Sequence, residues 1–154
     1  MHILFEKDWN TTAKKIATLI KRKRVDDMNI IKTRAYYEQI KGSDLCSCDY
    51  CRNYISEIKS SYPELAEYLC GLGIDIEKPF ETMSLEPDKS GYIDYLCAQY
   101  IVFGKPDDFA KVKVGSVDVS IAEMHPSTQE EEPHFVIEAY PIRLKWVMRT
   151  KNCS

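Results

Sequence analysis

Hydrophobic positions change their spacing about halfway along the chain. In the first half they recur three and four residues apart. Ala13, Ile16, Leu19 and Ile20 form one such stripe behind a cap at Asn10 or Thr11, predicting a helix through about Lys23. A second helix is predicted from Asp26 or Asn29 to Ile40, with Ile31, Ala35 and Tyr36 as its apolar side and Tyr37 half-exposed. Gly42 is its breaker. Tyr54, Ile55 and Ile58 mark a third helix, and Pro63 opens a fourth that carries Leu65, Ala66, Tyr68 and Leu69 and ends at Gly71 and Gly73. Ile74 to Pro79 reads as a connector, because Pro79 cannot continue a helix.

From Gly91 the spacing falls to two and the residues become aromatic and β-branched. Tyr92 to Phe103 predicts one bent strand or two. Val112, Val114, Val117, Val119 and Ile121 predict a hairpin turning at Gly115-Ser116. Phe135 to Tyr140 and Ile142 to Met148 complete the set, with Pro141 at the start of the last strand or in a bend before it. His2 to Glu6 predicts a short leading strand. Helices followed by strands, without βαβ alternation, imply an α+β fold of N-terminal helices packed on a C-terminal antiparallel sheet. No boundary divides residues 1–154, so a single domain is expected.

Composition narrows the function classes. A chain of 154 residues, 44% hydrophobic and 29% charged, is globular. Its net charge of −3 draws it to neither nucleic acid nor an anionic membrane. The basic run Lys21-Arg22-Lys23-Arg24 therefore reads as a solvated helix end rather than a phosphate site. Charges at Glu6, Lys7 and Asp8 stand where a signal peptide needs apolar residues, and the apolar run Tyr95 to Phe103 reaches about half a membrane span. A cytoplasmic protein is expected. The ten tyrosines are expected to bury their rings and keep their hydroxyls in water. The aromatic strand region offers a surface for a protein partner.

Six cysteines stand at 46, 48, 51, 70, 97 and 153. Cys46, Cys48 and Cys51 form Cys-x-Cys-x2-Cys at a helix start, and three readings of that cluster remain open. Thiolates so spaced can share a zinc ion, which needs a fourth ligand, with Cys70, Cys97, His134, His125 and His2 as candidates. Cys48 and Cys51 can instead be a redox pair whose thiol pKa the helix dipole lowers. The third reading is ordinary packing of three thiols in a tight turn. His125 and His134 flank Glu130-Glu131-Glu132, but their spacing matches no metal motif and the segment reads as solvated loop. No phosphate loop, nucleophile elbow or nucleophile–base pair is present in the sequence. A non-enzymatic binding or regulatory protein is the leading expectation, with a thiol-dependent enzyme or a small zinc protein as the alternatives.

The strings Cys48-Asp49-Tyr50-Cys51-Arg52-Asn53-Tyr54, Tyr62-Pro63-Glu64-Leu65 and Leu72-Gly73-Ile74-Asp75-Ile76-Glu77-Lys78-Pro79-Phe80-Glu81 add a resemblance. Over residues 45–103 the chain resembles a family of small uncharacterised bacterial proteins with a Cys-x2-Cys-x-Asn-aromatic segment followed by Leu-Gly-Ile-Asp and Lys-Pro-x-Glu. The resemblance implies that Cys48 and Cys51 are the recurring pair and Cys46 an addition in this chain. It implies no activity, substrate or cofactor.

Overall fold

The computed structural model describes residues 28–148. The expected leading strand, the first helix, the Lys21–Arg24 run, His2 and Cys153 lie outside the described residues. Helix α1 spans Ile30–Gln39, α2 Asp49–Ser61 and α3 Pro63–Gly71. The strands are β1 (Glu81–Ser84), β2 (Tyr92–Phe103), β3 (Val112–Val114), β4 (Val117–Ile121), β5 (His134–Tyr140) and β6 (Ile142–Lys145). They form one antiparallel sheet in the order β1-β2-β5-β4-β3, with β6 also paired to β2. The α+β arrangement of helices followed by a sheet is therefore the observed one.

β2 is a single bent strand. Met83 lies opposite Cys97 while Ser84 lies opposite Tyr95, which leaves Leu96 as the extra residue of a bulge. That residue reverses the alternation. Ile93 and Tyr95 face the helices before the bulge, and Ala98, Tyr100 and Val102 face them after it. One edge of β2 then serves β6 through residues 92–95 and β5 through residues 98–103. Tyr140 and Pro141, joined by a cis peptide, connect those two partners.

The main core lies between this face and the helices. Tyr54 and Ile58 of α2, Leu65 and Leu69 of α3, and Ile74 and Ile76 of the connector pack on Tyr100, Ile137, Val119 and Leu144. The tyrosines depart from expectation here. Tyr37, Tyr54, Tyr95 and Tyr100 are buried, hydroxyls included. Tyr54 and Tyr100 share a hydrogen bond of 2.5 Å, Tyr100 donates to the Ile76 carbonyl, and Tyr95 donates to the Tyr50 carbonyl. A buried hydroxyl keeps its hydrogen bond by finding protein partners, so these rings staple helix, connector and sheet together. Burial raises the pKa of Tyr54 and Tyr100 well above the ordinary phenol value, so both stay neutral.

α1 also turns a face that its apolar residues do not announce. Ile31 is 83% exposed, whereas Thr33 and Tyr37 are buried. The cause is the edge of β2 beyond the end of β1. There Tyr37 donates its hydroxyl to the Ile101 carbonyl, and Phe103 donates its N–H to Thr33 Oγ1. The Asn29 N–H completes the edge on the Phe103 carbonyl. The first turns of α1 thus stand in for a missing strand, and polar groups on an open edge are satisfied.

Candidate metal centre

The segment between α1 and α2 is short and polar. A 3-10 turn at Gly42–Asp44 follows α1, the chain extends through Leu45, and Cys48 becomes the N-cap of α2. In that role the Cys48 sulfur accepts from the Cys51 N–H at 3.5 Å, closing the first turn. Cys51 sits on that turn, half-buried, with its Sγ 3.5 Å from Thr82 Oγ1 of β1. Cys46 and Cys48 are exposed. The three Sγ atoms all lie within 4.8 Å of one another. Tetrahedral zinc–thiolate bonds of about 2.3 Å place sulfurs about 3.8 Å apart. The trio is therefore near ligating distance, and the exposed side chains need only close slightly. Three close cysteines that could hold a metal ion are what the structure presents here.

The surroundings treat the thiols unequally. The Cys46 pKa falls below the ordinary thiol value, chiefly because the Cys48 N–H donates to its sulfur, with the Cys48 and Cys51 thiols adding to the effect. Cys51 is pushed up to about 12, mainly by burial. In metal-free protein Cys46 is expected to alkylate well before Cys51, because the thiolate is the nucleophile. Site-resolved alkylation followed by mass spectrometry checks the order, and equal rates at the two positions would refute it.

None of the described candidates for a fourth ligand joins the trio. Cys70 lies on α3 along a cleft of about 540 Å³ whose walls include Arg34, Glu38, Lys59, Glu67 and Lys78. Cys97 points to the sheet face away from the helices, where burial raises its pKa and Glu138 and Glu81 raise it further. His134 is occupied at both ring nitrogens, with Thr128 Oγ1 at 2.6 Å and the Glu132 carbonyl at 2.7 Å. His125 meets the Pro126 carbonyl at 2.7 Å and lies beside the Phe80 ring. Among the described residues the two histidines and the Glu130–Glu132 run gather into no metal-ligating group. The acidic loop is tied to itself through Thr128 and to α1 through the Lys32–Glu132 ion pair.

Two contributors escaped the sequence reading. Thr82 belongs to β1, a strand too short and too mixed to show a period. Asn53, fully buried on α2, donates to the Lys145 carbonyl at 3.0 Å and accepts from the Val147 N–H at 2.8 Å. It thereby fixes the end of β6 against the helix whose first turn carries the cysteines. Its place as the asparagine of the Cys-x2-Cys-x-Asn-aromatic segment was the signal for it in the sequence, without a role attached. The chain matches no known family model, no curated protein and no solved structure. The geometry carries the functional reading alone. Among the described residues no helix is long and apolar enough to cross a membrane.

Proposed function

We propose that this is a non-enzymatic, cytoplasmic protein-binding module that holds a zinc ion through Cys46, Cys48 and Cys51. The approach of three sulfurs within 4.8 Å, two of them exposed, carries the reading. Soft thiolates select zinc over hard cations, and bound zinc would tie the 45–48 segment to the start of α2. Cys46 and Cys48 are exposed, so a fourth coordination position would be open to water or to a partner's side chain. Met83, Leu85 and Leu96 are exposed on or beside β1 and offer an apolar surface, with Met83 on the sheet face opposite Thr82 and the cysteines. The partner surface thus moves from the tyrosine-rich stretch of β2, whose Tyr95 and Tyr100 are buried, to the outer edge of the sheet.

A second reading has its own support: Cys48 caps the first turn of α2 and Cys51 lies on it, a Cys-x2-Cys pair whose sulfurs lie within 4.8 Å, close enough for disulfide chemistry after a small side-chain movement. Metal content and thiol accessibility separate the two. The purified, untagged protein is expected to carry about one zinc per chain, with Cys46, Cys48 and Cys51 reacting only after chelation or unfolding. Absence of metal with fast, reversibly oxidised thiols would replace the zinc reading by the redox one. Absence of metal with thiols that stay protected would reduce the cluster to packing.

A further inference from the structure

The sheet face turned away from the helices carries a second group of ligand atoms, hard where the cysteines are soft. In the register of the sheet, Gln99 of β2 lies opposite Glu81 of β1 on one side and Glu138 of β5 on the other, and Glu138 lies opposite Ser120 of β4. The four residues form one row across four strands, on the face opposite Ala98 and Tyr100. Gln99 is only 2% exposed. Its Nε2 donates to the Met124 carbonyl at 2.9 Å and, at 3.4 Å, to Glu138 Oε2. Its Oε1 is buried without a hydrogen-bond partner.

An unpartnered buried amide oxygen costs about 1–3 kcal/mol, and native interiors rarely keep one. Gln99 stands between two glutamates in the strand register, so the row is rich in acceptors and short of donors. One Glu81 oxygen accepts the Thr82 N–H, and among the described residues its other oxygen has no hydrogen-bond partner. Among the described residues neither Glu81 nor Glu138 takes part in an ion pair. Both are half-buried, so a solute can reach their carboxylates. Neighbouring strands are about 4.8 Å apart, which lets the two flanking glutamates reach a point above Gln99.

We propose that Glu81, Gln99 Oε1 and Glu138 form a site for a hard divalent cation of the Ca²⁺, Mg²⁺ or Mn²⁺ class, completed by water. Two carboxylates and an amide oxygen are the ligand types such ions prefer. The cation supplies the positive charge that the row lacks and gives Oε1 its partner. This site stands independently of the zinc reading, since its residues and its face of the sheet differ from those of the cysteine cluster.

Calorimetric titration of the protein with Ca²⁺, Mg²⁺ and Mn²⁺, supported by Mn²⁺ EPR, tests it. Saturable binding of about one ion is expected, with a Kd below about 1 mM for at least one of the three. Glu138→Gln, at a half-exposed position, is expected to weaken binding at least about tenfold while leaving zinc content unchanged. Gln99→Met is expected to abolish binding while changing the ion-free thermal midpoint little, because the unpartnered acceptor and the donor to the Met124 carbonyl are removed together. No saturable binding of any of the three ions up to about 10 mM would overturn the site. So would binding that persists unchanged in Glu138→Gln.

Discussion

Gly73→Ala is expected to destabilise the protein by about 3–5 kcal/mol, enough to lower the thermal midpoint by on the order of 10 °C. Two independent costs meet at this position. Gly73 has φ +86°, a conformation that L side chains rarely adopt. An added Cβ would also lie 2.6 Å from the Ile30 carbonyl oxygen and 2.9 Å from the Arg34 nitrogen. Both are backbone atoms of α1, which cannot retreat without releasing the edge of β2 from Thr33 and Tyr37. Gly71→Ala is the control. It meets nothing within 4 Å, so its effect is expected to stay within about 0.5 kcal/mol. Thermal unfolding followed by circular dichroism measures both, and a Gly73→Ala loss under about 1 kcal/mol would contradict the close packing of the connector on α1.

Cys48→Ser is expected to separate the two duties of one residue. Serine is a preferred N-cap and can accept the Cys51 N–H as the sulfur now does, so α2 should keep its start. Metal-free stability is then expected to change by less than about 0.5 kcal/mol. A serine hydroxyl is not a thiolate at neutral pH, however, and the cluster loses one of the three thiols that could hold a metal. Zinc affinity is expected to fall at least about 100-fold, read by competition with a chromophoric chelator. The remaining affinity should decline further on acidification, because protons compete with the metal for Cys46 and Cys51. Retention of full zinc affinity in Cys48→Ser would remove this residue from the ligand set and undo the three-cysteine centre.

Much of this architecture was legible because the deciding interactions are local. The stop of α1 before Gly42, the opening of α3 at Pro63, the hairpin turn at Gly115 and the strand at β5 follow from backbone constraints and side-chain period. The placement of Cys48 and Cys51 on one helical turn belongs with them, since an i, i+3 spacing at a cap brings the two residues together wherever the helix goes. The proximity of three thiols is therefore a property of six consecutive residues. β1 was not legible. Its four residues are held by β2 and show no period of their own.

The pattern of residues by itself determined the α+β order, most element boundaries and the cysteine cluster, because each rests on contacts a few positions apart. Which face of each element is buried was decided by its neighbours. Ile31 is exposed and Thr33 buried because the open edge of β2 needs a hydroxyl more than it needs a methyl group. The hydroxyls of Tyr37, Tyr54, Tyr95 and Tyr100 are dry because strand, helix and connector bring them partners. The bulge at Leu96 reverses the faces of β2, so no single period describes that strand. Glu81, Gln99 and Glu138 are far apart along the chain and become one row only through the register of three strands. Pairing across a sheet is a long-range choice, made by the core as a whole and carried by no local signal.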